Sequence, residues 1–139
     1  MSAIPNRWRY RVYWEQTDAG GVVYHARYLN FMERARSDWL LALGFPQIPL
    51  REEAGCLFVV TSAVLDFQAP ARLEDELDVD VAVEQLRAAS MRIVQQVRHS
   101  NGELLVSGRV AIACLAAESF RPVRIPRALH AAIRQFQGN

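Results

Sequence analysis

No lysine occurs among the 139 residues, so all sixteen basic side chains are arginine. That absence excludes a Schiff-base enzyme built on lysine and a P-loop nucleotide hydrolase. Cysteine is scarce as well. Cys56 and Cys114 form no Cys-x-x-Cys pair, and His25, His99 and His130 lie far apart in sequence, so no metal site is expected. The two thiols read as buried small hydrophobes in a reduced cytosol, which makes the expected location cytoplasmic. No apolar run approaches the ~18–20 residues of a membrane span, and the opening MSAIPNRWRYRVYW lacks a signal peptide's apolar core. Charge of one sign is also missing: the formal net charge is +1, which gives no blanket case for nucleic acid or an anionic membrane. A Gly-x-Ser-x-Gly elbow is absent, and Gly20-Gly21 is neither a Rossmann nor a Walker fingerprint.

What is present is globular composition, 51% hydrophobic and 22% charged, at a length that fits a single domain over residues 1–139. Charge is segregated along the chain. Residues 74–84 (EDELDVDVAVE) carry acids and no base, while residues 119–139 carry Arg121, Arg124, Arg127 and Arg134 and no acid. Because the acids of 74–84 alternate with valines, they read as the solvated face of a strand rather than a cation site.

Periodicity gives the element order. Trp8 to Trp14 alternates as a strand and stops at the turn Thr17-Asp18-Ala19-Gly20-Gly21. Apolar positions at Tyr28, Met32, Ala35, Trp39 and Leu43 predict one long helix over about 26–43, stopped by Gly44 and Pro46. A weaker helical turn is expected around Pro49–Ala54. The nearly continuous apolar run Leu57–Phe67 predicts a strand buried on both faces. Three more strands follow over Leu77–Gln85, Met91–Arg98 and Leu104–Leu115, the last two joined by an Asn101-Gly102 hairpin. A short helix beginning at Pro126 completes the chain. Short links favour an antiparallel sheet of about five strands packed on one main helix, an α+β fold with open edges that need covering or pairing.

Chemistry concentrates in TDAGGVVYHARYL, residues 17–29, where an acid sits in a Gly-containing turn directly before the long helix. The first N–H groups of a helix lack intrahelical partners and can polarise a carbonyl oxygen. A carboxylate on the adjacent loop could attack that carbonyl or activate a water. The same residues are also ordinary turn chemistry, with Asp18 capping local N–H groups.

The segment Val12–Arg36 resembles the signature of the 4-hydroxybenzoyl-CoA thioesterase-like hotdog proteins. It is most similar to the branch of acyl-CoA thioesterases associated with the Tol-Pal system. The pattern Thr-Asp-x-x-Gly-x-Val-Tyr-His-x-x-Tyr-Leu is followed by Glu33-x-Ala35-Arg36, then Phe67-x-Ala69-Pro70-Ala71-Arg72 and Arg121-Pro122-x-x-Ile125-Pro126. The resemblance spans nearly the whole chain. It implies a hotdog fold, a sheet wrapped around the long helix, with the active site at a subunit interface of a homodimer or homotetramer.

By position, the resemblance puts the catalytic carboxylate on Asp18, as nucleophile or general base, and the carbonyl-polarising N–H on or beside His25, with Tyr24 adjacent. Gly21 would allow close backbone approach. The His25 imidazole is either a general base or a structural group of which only the N–H acts. Tyr28 and Met32 read as core, and Glu33 as the ion-pair partner of Arg36 rather than a binder of a polar acyl tail. Gln16 stands where a second acid is expected, and Arg27 where asparagine is common; an Arg27 turned toward Asp18 would favour its charged form. Arg121, Arg124 and Arg127 are candidates for the phosphates of coenzyme A, or else they merely offset the acidic 74–84 face. The implied reaction is hydrolysis of an acyl-CoA, or an acyl carrier protein thioester, without metal or cofactor. The alternatives are a non-catalytic acyl-thioester-binding scaffold of a membrane-biogenesis complex linked to Tol-Pal, and an enoyl-CoA hydratase.

Overall fold

The computed structural model describes residues 3–138. Six strands, β1 (Arg7–Arg11), β2 (Cys56–Phe67), β3 (Glu76–Asp80), β4 (Ala82–Leu86), β5 (Ser90–His99) and β6 (Leu104–Ala116), form one antiparallel sheet. Its order is β1-β3-β5-β6-β2, with β4 also on β5. β3 and β4 are successive halves of one strand. Val79 faces Val97 and Ala82 faces Val94 in the same register, interrupted only at Val81, whose N–H donates to the Asn6 carbonyl at 2.9 Å. Counting them once gives the expected five strands.

The long helix α1 (Arg27–Leu43) lies against this sheet and buries Tyr28, Phe31, Met32, Ala35, Trp39 and Leu40. Spacing of three and four keeps those side chains on one stripe, and Gly44 at φ 94° ends the helix with its N–H on the Leu40 and Leu41 carbonyls. The predicted turn at 49–54 begins earlier, as α2 (Gln47–Glu52). The opening strand is shorter than its alternation suggested and gives way to a single 3-10 turn at Trp14–Gln16. The carboxy-terminal helix α3 (Arg127–Gln137) buries Leu129 and Ile133, and Phe136 meets the Trp39 ring at 5.4 Å. None of the helices is long and apolar enough to cross a membrane among the described residues.

Gln95 keys helix to sheet. Fully buried opposite the break at Val81, its Nε2 donates to the carbonyls of Met32 (3.0 Å) and Asp80 (3.1 Å), and its Oε1 accepts from Arg36 at 2.9 Å. The expected Glu33–Arg36 pair therefore does not form among the described residues. Burial holds the Arg36 guanidinium below its ordinary pKa, and it turns inward to the amide, while Glu33 accepts from Ser37 Oγ at 3.3 Å. Replacing Gln95 with leucine strands the Arg36 charge and two carbonyls, a loss of about 2–3 kcal/mol. Thermal unfolding of Gln95→Leu is expected roughly 8–12 °C lower; an unchanged midpoint would show that the link carries no stability.

The two sheet edges differ. β1 presents Arg7, Arg9 and Arg11; Arg9 bonds Asp78 at 2.9 Å and Arg11 bonds Glu76 at 2.9 Å. Glu84 accepts from Arg109 at 2.8 Å. Glu76, Asp78 and Glu84 of the acidic segment thus pair with strand arginines, and no ion pair among the described residues joins it to the carboxy-terminal arginines. β2 is the opposite edge, and here the sequence expectation fails. Instead of being buried on both faces it exposes Val60, Val64 (61%) and Phe67 (52%). A continuous apolar run reads alike for a central strand and for a terminal strand that lacks a neighbour.

Candidate active site

The loop between the 3-10 turn and α1 is closed by its own backbone. Asp18 N–H donates to the Val22 carbonyl at 2.9 Å and Gly21 N–H to the Asp18 carbonyl at 3.0 Å. Gly20 N–H donates to Asp18 Oδ1 at 2.8 Å, which fixes the carboxylate and leaves Oδ2 without a protein donor among the described residues. Gly21 sits at φ 78°, and a Cβ there would meet nothing within 4 Å among the described residues. Left-handed backbone, not crowding, is what calls for glycine at this turn. The loop is fastened to the 69–75 turn by Val23 N–H on the Ala71 carbonyl (2.9 Å) and a Val22–Arg72 bridge. Gln16 is structural: buried, it accepts from Tyr13 N–H at 2.6 Å on its side chain and from Tyr24 N–H at 2.8 Å on its carbonyl.

At the start of α1 the N-cap is Ala26, with no side-chain cap, and the N–H groups of His25 and Ala26 find no acceptor among the described residues. Two donors at the positive end of the helix dipole are therefore open to a ligand. Beside them lies a depression of about 310 Å³ lined by Val23, His25, Tyr28, Phe67, Ala69 and Pro70. Tyr24 and His25 pack ring to ring at 4.5 Å, and His25 stands edge-on to Phe67 at 6.4 Å. Tyr28 is core, as expected, but its hydroxyl also accepts Ala71 N–H at 3.0 Å and its ring lines the depression. Burial raises the pKa of that hydroxyl, so it stays neutral. Arg27 does not turn to Asp18; its guanidinium reaches Asn30 at 3.4 Å.

Asp18, Gly21, Tyr24 and His25 thus share one loop and helix start. The candidate arginines lie elsewhere. Phe67 pairs with Val106 at one end of β6, whereas Val123 N–H donates to the Cys114 carbonyl at the other. A rise of ~3.3 Å per residue puts the two ends roughly 26 Å apart. There, Arg124 and Arg127 line a concavity of about 640 Å³ together with Arg87, His130 and Arg134, and no carboxylate lines it. Ile125 N–H on the Ala88 carbonyl (2.8 Å) and His130 Nε2 beside the Arg87 carbonyl (3.1 Å) hold the walls together. Arg121 is outside it, on the turn after β6. The acid-free tail signalled Arg134 in the sequence. Arg87 carried no signal, because it arrives from the distant β4–β5 connection.

Other nucleophiles are poorly placed. Burial, reinforced by Cys56, pushes the Cys114 thiol up to about 12, far from a reactive thiolate. No group of three or more His, Cys, Asp or Glu side chains able to hold a metal is found among the described residues. What the loop offers is an exposed carboxylate, two open backbone donors and an apolar wall. Such a set can orient a carbonyl, polarise its oxygen and deliver an oxygen nucleophile to its carbon.

Comparison with known proteins finds thioesterases. The family model of the thioesterase-like superfamily matches residues 12–133. An acyl-CoA thioesterase YbgC of Haemophilus influenzae is 40% identical, covering 91% of this chain and 93% of its own. An acyl-CoA thioester hydrolase YbgC of Escherichia coli is 37% identical over 97% of this chain and 100% of its own. Among solved structures, a probable thioesterase from Bartonella henselae is 36% identical with a TM-score of 0.82, over 86% of this chain and 98% of that one. A 1,4-dihydroxy-2-naphthoyl-CoA thioesterase from Synechocystis, 23% identical, shares the fold with a TM-score of 0.86 over 93% and 95% of the two chains.

Proposed function

The chain belongs to the thioesterase-like superfamily, and from that membership we propose that it is an acyl-CoA thioesterase, converting an acyl-CoA and water to a carboxylic acid and coenzyme A. The observation that carries the reading is the uncapped start of α1 at the end of the loop that holds the Asp18 carboxylate. The thioester oxygen takes the His25 and Ala26 N–H groups, which stabilise the charge that develops as the carbonyl carbon becomes tetrahedral. Asp18 Oδ2 then supplies the nucleophile, directly or through a water. Coenzyme A leaves as a thiolate with a conjugate-acid pKa of about 8–9, judged by cysteine, so the step needs no strong general acid and no metal. His25 acts through its N–H, with its ring packed between Tyr24 and Phe67 as part of the wall.

The same reading makes the enzyme a dimer across β2. Antiparallel pairing with a two-fold copy would bring the Cys56 end of one β2 beside the Phe67 end of the other. It would thereby carry Arg124 of the partner subunit toward this subunit's Asp18 loop. Exposed Val60, Val64 and Phe67 on a strand paired along one edge only support it. The resemblance to the Tol-Pal-associated branch supports a cytoplasmic enzyme working beside that system.

Free-thiol release from a panel of acyl-CoAs, with an acyl carrier protein thioester included, tests the activity. Turnover of none of them would leave the scaffold reading standing. Arg124→Ala is expected to raise KM for acyl-CoA about tenfold with kcat nearly unchanged, since phosphate contacts far from the reacting carbon serve ground and transition states alike. An acyl thioester of N-acetylcysteamine, which lacks the phosphates, should not register the change. Equal weakening of both substrates would remove Arg124 from the nucleotide end.

A further inference from the structure

Phe120 combines two unusual features. Its backbone is left-handed, at φ 57°, a conformation unfavourable to a side chain of that bulk. Its ring is 60% exposed and does not pack on the core, whereas Phe45, Phe58 and Phe136 do. The turn that presents it is firmly built. Phe120 N–H donates to the Ala116 carbonyl at 2.9 Å, Ala116 N–H to the Arg121 carbonyl at 2.8 Å, and Arg121 N–H to Ser119 Oγ at 3.3 Å. The turn holds this backbone in place, so the exposed ring is presented in a fixed position.

The neighbours indicate what the ring meets. Arg121 follows it directly, and Arg124 on the wall of the four-arginine concavity is four residues further on, within ~14 Å along even a fully extended chain. A flat aromatic next to arginines is the recognition set for a nucleotide: the ring takes the base and the guanidinium groups take the phosphates. Within the concavity the one aromatic ring among the lining residues is that of His130, whose Nε2 is engaged beside the Arg87 carbonyl at 3.1 Å, so Phe120 is the nearby ring left free.

We propose that Phe120 stacks on the adenine of coenzyme A, completing at the base the nucleotide site whose phosphates the concavity arginines hold. The inference rests on the acyl-CoA reading above for its ligand. Phe120 makes no contact with the reacting carbon; it sets affinity for the nucleotide end.

The test compares the intact enzyme with Phe120→Ala and Phe120→Trp on two substrates with the same acyl group: acyl-CoA, and acyl-4′-phosphopantetheine, which lacks the adenosine. Phe120→Ala is expected to raise KM for acyl-CoA roughly tenfold, within the range found on truncating base-stacking aromatics. kcat should stay within about twofold, KM for acyl-phosphopantetheine should not move, and Phe120→Trp should restore KM. An unchanged KM, equal losses on both substrates, or a fall in oligomer mass for Phe120→Ala by light scattering would each overturn the proposal. Fluorescence titration with 1,N6-etheno-CoA separates this inference from the catalytic reading. If the wild-type chain releases no thiol yet binds the probe in a Phe120-dependent way, the activity fails and the base contact stands. Probe affinity equal in wild type and Phe120→Ala sinks the contact whatever the activity.

Discussion

Asp18→Asn is expected to lower acyl-CoA hydrolysis by at least ~10²-fold, the scale of losing a positioned base or nucleophile. The substitution is nearly silent for the fold. Asparagine keeps an Oδ1 to accept the Gly20 N–H that now bonds Asp18 at 2.8 Å, so the loop should close as before and the unfolding midpoint should hold. What disappears is the charge on the oxygen that has no protein donor. Near-normal turnover by Asp18→Asn would remove Asp18 from the chemistry. Direct attack is the route favoured, because a carboxylate beside a helix-bound carbonyl can form a mixed anhydride. Under single turnover in ¹⁸O-water, hydrolysis of that anhydride at the Asp18 carbonyl leaves label in the protein; label confined to the released acid would show water activation instead.

Val64→Arg is expected to abolish both assembly and most activity. Val64 lies on the unpaired edge of β2 opposite Arg109 of β6 and is 61% exposed in the single subunit. In a two-fold antiparallel pairing of β2 strands, the substitution buries an unpaired charge in each half of the seam and removes apolar contact. Light scattering should then report the 15.8 kDa chain alone, with hydrolysis at least tenfold lower at the same concentration. A variant that stays associated, or a monomer that keeps full activity, would dismiss the β2 interface. β1, with Arg7, Arg9 and Arg11, serves as the contrast: arginines are what an edge carries when it is not meant to pair.

The sequence announced the helix, the succession of elements along the chain and the hairpin because each rests on local rules: a stripe at spacing three and four, alternation in 77–83, and a turn that needs positive φ at Gly102. It also singled out the Asp18 turn, since a carboxylate before an amphipathic helix is visible as residue order. Three things were not legible. Whether Leu57–Phe67 has neighbours on one side or two depends on the sheet's far end, which leaves no trace in an apolar run. Arg36 could be paired with Glu33 on helical spacing alone, but burial of Gln95 decided otherwise through a contact between residues 59 apart. Arg87 joins Arg124 only because the β4–β5 connection folds back onto the segment after β6. Each miss is a case of long-range packing overruling a sound local expectation.

The missing cap on α1 has a consequence for anyone who would make this protein hardier. Serine or aspartate at position 26 is the standard way to strengthen a helix start, with a gain of about 1 kcal/mol. Here the added oxygen would reach for the Tyr28 and Leu29 amides, and because Ala26 is helical at φ −69° and ψ −20°, a cap in its extended form would pull out of place the backbone that presents the open His25 and Ala26 amides. Selection for heat tolerance alone would therefore drift toward a sturdier and idle molecule. The alanine is a standing compromise between endurance and turnover.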